Sequence, residues 1–215
     1  ADSNEVPPGA FLPLANLNGI GETLDRVVVT RVLETLQSAP EGLRLILNIT
    51  SNTLMSPAFL PWLSEQLQAN RTPTSRLIIE LSEIDIHKSF QQALEFCRGL
   101  EELGLPLSIS HFGCALDPFG ILDTIKPAFL KLDDTIVRDI IYSTHQKERI
   151  RGLIRQIHQR QLLVVTPHVE DMDVLPILWE VGADYAQGYC LQAPSNEMNY
   201  EFMTEEEITL TASQH

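Results

Sequence analysis

Short apolar runs alternate with amphipathic stretches along most of this chain. Six runs, Leu43–Ile49, Arg76–Leu81, Pro106–Ser110, Ala128–Leu132, Leu162–Thr166 and Asp184–Gln187, are strand-sized. Between them, Leu24–Leu36, Ala58–Ala69, Ser89–Leu103, Gln146–Gln159 and Val174–Val181 repeat apolar residues at three- and four-residue steps, the period that gives a helix one buried face. Gly104 and Gly182 follow two of these segments, where helices commonly stop. Strand and helix taking turns predicts βαβ units and a mainly parallel sheet. The runs are apolar on both faces, as strands covered by helices on each side should be.

Polar residues at the run ends choose between the two architectures this pattern allows. Asn48, Glu80, Ser110, Lys131 with Asp133, His168 with Glu170, and Gln187 all sit at or just past the C-terminal ends of their runs. In a barrel those ends converge on one face, where active sites are built. A doubly wound sheet gathers its polar groups at one switch point, and no Gly-rich phosphate loop occurs here. The pattern therefore predicts an α/β fold closed into a barrel.

Length and composition narrow the picture. With 215 residues, 44% of them hydrophobic and no Ser/Gly/Pro-rich linker, the chain reads as one domain. Its barrel would occupy about residues 8–194, and residues from about 195 to 215 read as an acidic, mobile tail poor in apolar side chains. The net charge of −14 is spread along the chain, which argues against DNA or RNA, whose backbones bind clustered Lys and Arg. A small anion in a local pocket stays compatible with it. No run is long enough to span a bilayer, and the polar start carries no signal peptide. Three widely spaced cysteines, Cys97, Cys114 and Cys190, fit a reducing compartment, hence the cytoplasm.

Five segments, met in order, resemble the EAL family of cyclic-di-GMP phosphodiesterases. PPGAFLPLAN with the helix after it is similar to the family's F-[IL]-P-x-A-E segment, and LILNITSNTL to its Asn-bearing strand and hydroxyl-rich turn. LIIELSEID, with Glu80 and Glu83, resembles E-[IL]-T-E, and FLKLDD, with Lys131 and Asp133, resembles L-K-[IL]-D. VGADYAQGYCLQAP, with Gln187, Gly188, Tyr189 and Pro194, resembles the closing motif G-x-[DY]-x-Q-G-Y-x-[FIL]-x-x-P. The resemblance runs from about Pro8 to Pro194 and implies an α/β fold of the (β/α)8 TIM-type barrel, whose first strand, with its E-A-L signature, lies before Ala1.

Two motifs depart from the family. Ser110-His111-Phe112-Gly113-Cys114-Ala115 stands in place of D-D-F-G-T-G, and Pro167-His168-Val169-Glu170 in place of E-G-V-E. In active members the replaced acids help hold two divalent cations and the attacking water, and such a pair needs several oxygen ligands. Serine is neutral and proline has no side-chain donor atom. The resemblance, most of all to FimX-type receptors that regulate type IV pili and twitching motility, thus implies a receptor and not an enzyme. It implies no catalytic residue, no metal and no cofactor, cyclic-di-GMP as ligand, and a PilZ-domain adaptor as partner. The replacements suit metal-free binding, because a carboxylate about 4 Å from a phosphate repels it by roughly 4 kcal/mol at an effective dielectric near 20.

The residues expected to contact the dinucleotide are Asp25, Asn48, Lys131, Val169, Glu170, Gln187 and Pro194. Four of them have a plainer reading beside this one. Asn48 caps the loop after its strand, Lys131 pairs with Asp133 or Glu80, Glu170 merely begins the next helix, and Asp25 is a helix-surface acid. His111 and His168 read as structural before they read as ligands. Two further readings stay open: a rewired metal site built from Glu80, Asp133, His111 and His168, and a scaffold that has lost nucleotide binding.

Overall fold

The computed structural model describes residue 6, residues 8–138, residue 140 and residues 143–195. The tail expected beyond Ser195 lies outside the described residues. Six strands, β1 (Leu45–Asn48), β2 (Leu77–Ser82), β3 (Leu107–Phe112), β4 (Phe129–Leu132), β5 (Leu163–Thr166) and β6 (Tyr185–Ala186), form one sheet in the order β1-β2-β3-β4-β5-β6. The pairs β1·β2, β4·β5 and β5·β6 are parallel. Each strand lies beside its neighbour in sequence, the winding of a β/α barrel, whereas a doubly wound sheet reverses its order partway.

The chain divides into two compact units, Ala1–Ser108 with Ile121–Lys126, and Ile109–Gly120 with Pro127–His215. In the first, α1 (Pro8–Leu17) and α2 (Gly21–Ser38) precede β1, α3 (Ser51–Leu54) and α4 (Phe59–Asn70) follow it, and α5 (Glu83–Lys88) and α6 (Phe90–Leu103) follow β2. The helical period does its work here. Val29, Leu33 and Leu36 on α2, Phe59, Leu63 and Leu67 on α4, and Ala93, Phe96 and Leu100 on α6 are all buried. Full burial of each large side chain is worth about 1.5–3 kcal/mol. Residues 77 to 81 of β2 are buried without alternation, as a strand covered on both faces requires. Arg76, just ahead of β2, donates from Nη1 to the Leu36 carbonyl (2.9 Å), from Nε to Leu43 (3.0 Å) and from Nη2 to Ala39 (3.3 Å) and Pro40 (2.7 Å). It thereby satisfies carbonyls at and beyond the end of α2.

In the second unit, α7 (Asp134–Val137) and α8 (Thr144–His158) lead from β4 to β5, and α9 (Leu175–Val181) leads to β6. Ile150, Ile154 and Ile157 of α8 and Leu175, Leu178 and Val181 of α9 are buried. Glu180 of α9 accepts from Arg151 (2.7 Å) and Lys147 (3.3 Å) of α8. Gly182 ends α9 at φ 97°, in the left-handed region open to glycine. Among the described residues no helix is long and apolar enough to cross a membrane.

The five expected helices and six expected strands are all present, with shifted ends. β3 runs two residues past Ser110, because His111 and Phe112 continue the strand. Helices α1, α3, α5 and α7 were not anticipated. The last three each span six residues or fewer, too short for a period to show.

Candidate functional site

In the first unit, β1 and β2 end side by side, with Asn48 opposite Glu80. Asn48 is exposed, and among the described residues its side chain makes no hydrogen bond. It does not cap the loop after its strand. That task falls to Thr50, whose hydroxyl oxygen accepts from the Thr53 N–H at the start of α3. Beneath this turn lies Asp25 of α2. Its Oδ2 accepts from the Thr50 N–H (2.7 Å), the Thr50 hydroxyl (2.8 Å) and the Thr53 hydroxyl (2.5 Å). At 4% exposure Asp25 is no surface acid; it supports the turn that follows Asn48. Burial raises its pKa, bonds from Thr53 and Thr50 oppose that rise, and nearby Glu22 adds to it. Glu80 is also buried and accepts from the Ser108 hydroxyl at 2.8 Å.

In the second unit, Ser110 is buried within β3 and His111 follows it at φ 55°, a left-handed backbone unusual outside glycine. The imidazole Nδ1 of His111 lies 3.0 Å from Asp133 Oδ2. Asp133 caps α7, its Oδ1 accepting from the Thr135 N–H (3.0 Å) and the Thr135 hydroxyl (2.5 Å). Burial would raise this carboxyl, but bonds from the Thr135 side chain, His111, the Thr135 N–H and Cys114 outweigh it. Together they hold Asp133 well below the usual carboxylate range. An ionised carboxylate only accepts, so His111 donates from Nδ1. Lys131 lies half-buried in β4, opposite Val165 of β5.

Beyond β5 the chain turns through Pro167 and through His168, again left-handed at φ 56°. Val169 is 2% exposed, and its side chain holds the turn down. Its N–H donates to the Gln187 carbonyl (3.0 Å), and its own carbonyl accepts from the Cys190 N–H (3.4 Å). The Gln187 N–H in turn donates to Thr166 (2.9 Å). Glu170 is exposed and does not begin the next helix. Asp171 takes that place, accepting from the Asp173 N–H at 2.9 Å ahead of a 3₁₀ turn over Met172–Val174. Gln187 and Pro194 are exposed as well. Backbone pairing thus brings Val169, Glu170 and Gln187 together, while Asp25 stands under the turn after Asn48. The supporting residues Thr50, Thr53 and Thr135 escaped the sequence reading, although each follows a strand end by a few positions, where caps are expected.

Residues 1–194 match the family model for the EAL domain, and the chain belongs to that family. It is similar to the FimX EAL domain from Pseudomonas aeruginosa bound to c-di-GMP, at 38% identity and a TM-score of 0.88, over 93% of this chain and 81% of that one. The Xanthomonas citri FimX EAL domain in complex with c-di-GMP is 27% identical, with a TM-score of 0.86, over 94% of this chain and 81% of that one. Among curated relatives, the cyclic di-GMP phosphodiesterase PdeF of Escherichia coli (strain K12) is 23% identical over 192 residues, which cover 88% of this chain but 26% of PdeF. The chain spans about a quarter of the length of the curated relatives it matches. These likenesses establish the α/β, TIM-type fold class of the EAL family and its FimX-like character.

The two-cation centre of active family members can be tested against the side chains present. Pro167 offers no donor atom, Ser110 is neutral, His111 commits Nδ1 to Asp133, and both Asp133 oxygens are engaged by His111 and Thr135. Among the described residues no three His, Cys, Asp or Glu side chains are grouped as a metal ion requires. Ser110, His111 and Pro167 thus supply no carboxylate to a two-cation centre, and of the acids beside them Glu80 and Asp133 remain.

Proposed function

We propose that this chain is a receptor for cyclic-di-GMP that holds the dinucleotide without divalent cations, does not cleave it, and signals through a protein partner. The observation that carries the reading is the replacement of three acids by Ser110, His111 and Pro167. With it goes the engagement of the neighbouring Asp133 by Thr135 and His111. Hydrolysis by two metals needs charges held against the scissile phosphate and the attacking water, and these residues supply no such ligands. The same changes lower the repulsion an acidic cluster would exert on a dianionic ligand. The FimX EAL domains, solved with c-di-GMP, support the choice of ligand.

In the second unit the proposed contacts are Lys131, Glu170, Gln187 and Pro194, with Val169 holding the turn beneath. Asn48 and its support Asp25 are tested separately by Asn48→Ala. A carboxylate such as Glu170 can accept two donors from the edge of a guanine. Likeness to FimX also suggests a PilZ-domain adaptor and a role in type IV pilus control. Co-purification with a PilZ-domain protein, with and without cyclic-di-GMP, tests that part.

The deciding experiment is isothermal titration of cyclic-di-GMP, with Mg²⁺ and with chelator, beside an assay for the linear dinucleotide. The expected result is the same affinity in both buffers, no turnover, and a loss of about 1.5–3 kcal/mol in Glu170→Ala. Turnover that His111→Ala or His168→Ala abolishes would establish a rewired metal site instead. No binding in either buffer would leave a scaffold.

A further inference from the structure

The turn after β5 and the turn after β6 meet at a single glycine. A Cβ placed on Gly188 would lie 1.9 Å from the Val169 carbonyl oxygen, 2.4 Å from the Val169 nitrogen and 2.5 Å from its carbonyl carbon. All three are backbone atoms, and no rotamer change can move them aside. Gly188 is not among the residues with left-handed φ, so any L-residue could adopt its backbone. Glycine is needed here for space, and the space is filled by the turn that carries Glu170. Two hydrogen bonds close the contact, from the Val169 N–H to Gln187 and from the Cys190 N–H to Val169. On the other side of Val169, His168 is held at φ 56°, a conformation that costs energy in a non-glycine residue and that steers Val169 toward Gln187.

We infer that Gly188 is a positioning residue: it lets the Val169–Glu170 turn seat on the Gln187 turn, so that Glu170 and Gln187 present one rigid element to a ligand. This rests on the reading that Glu170 and Gln187 contact cyclic-di-GMP. Pre-set spacing between the two side chains lowers the ordering cost of binding. Substituting either residue tests a contact, whereas widening the seam tests the spacing with both contacts kept.

Three variants separate the possibilities. Gly188→Ala forces the seam apart. His168→Val disfavours the left-handed turn without adding bulk to the seam, on an exposed residue that leaves the core untouched, and His168→Gly restores the turn without the imidazole. Cyclic-di-GMP affinity is read by titration, fold by circular dichroism and thermal midpoint, and the seam by amide exchange at Val169 and Cys190, with the α8 amides as reference. We expect Gly188→Ala and His168→Val to bind about tenfold more weakly with the fold retained, and His168→Gly to stay within about twofold of wild type. Exchange at Val169 and Cys190 should quicken in the first two variants only. If Gly188→Ala does not fold, His168→Val carries the test. Wild-type affinity in the folded variants, or a loss in His168→Gly equal to that in His168→Val, overturns the inference. If wild type itself fails to bind, the functional reading falls. The exchange rates then decide alone whether Gly188 joins the two turns, and unchanged rates at Val169 and Cys190 refute it.

Discussion

Two buried aspartates each tie down a turn at a strand end, and their charges fare in opposite ways. Asp25 gathers three donors on one oxygen, Oδ2, and has Glu22 nearby. Asp133 divides its partners, Thr135 on Oδ1 and His111 on Oδ2. Burial leads at Asp25 and its pKa rises; at Asp133 hydrogen bonds overcome burial and the pKa falls. The comparison teaches that the number of hydrogen bonds does not fix the state of a buried acid. How deeply the acid is desolvated, and whether its neighbour is an imidazole or another carboxylate, matter as much.

The largest effect expected from breaking this comparison is at Asp25. Asp25→Ala leaves the Thr50 N–H and two hydroxyls without their acceptor beneath a buried turn, and should cost about 3 kcal/mol in urea unfolding. Asp25→Asn keeps an acceptor oxygen and removes the buried charge, so its loss should be about 1 kcal/mol. Equal losses in the two variants would show that the charge, and not the acceptor, holds the turn.

A pH series sharpens the comparison with a smaller effect. The folded pKa of Asp133 lies below the unfolded value, so its contribution to stability is complete above about pH 4 and is lost as pH falls through the folded value. Asp25 has the opposite sign: the folded state holds its proton more tightly, so its contribution declines as pH rises from about 4 through the folded value. Unfolding free energies measured from pH 6 down to pH 3 should therefore fall less steeply in Asp133→Asn than in wild type. They should fall more steeply in Asp25→Asn. Parallel curves for all three proteins would contradict this assignment.

Half-buried Cys97 shows desolvation with no opposing bond, and the smallest effect. Desolvation pushes its thiol up to about 12, whereas Cys114 is exposed. A disulfide reagent at pH 8 should label Cys114 quickly and Cys97 far more slowly, because so little of its thiol is ionised. Equal labelling of the two thiols would contradict the raised value at Cys97.

The sequence made the long elements legible because burial on one face repeats through several turns, as on α2 and α4. It hid α3, α5 and α7 because one or two turns carry no period. The plainer reading of Asp25 as a helix-surface acid fails for an instructive reason. It precedes Val29 by four residues and Leu33 by eight, so it lies on the same stripe that α2 buries. A charged residue on a buried stripe signals a partner within, and the hydroxyls of Thr50 and Thr53 are that partner. The plainer reading of Glu170 as a helix starter draws on the apolar period that resumes at Val174, yet Asp171 has the better claim as a short side chain able to bond two residues ahead. No pattern in the sequence reveals that Gly188 faces another backbone. A distance of twenty residues separates it from His168, and only the pairing of β5 with β6 closes that distance.

Arg76 carries a consequence for the path by which the first unit forms. The carbonyls it binds belong to residues 33 to 40 positions earlier in the chain. Its guanidinium cannot reach them until β2 has arrived beside β1, so water must serve the end of α2 until then. Closing a loop of that size costs entropy before any contact rewards it. The end of α2 and the register of β1 on β2 are therefore set together and late, and a helix long enough to begin alone must wait for a strand to finish it.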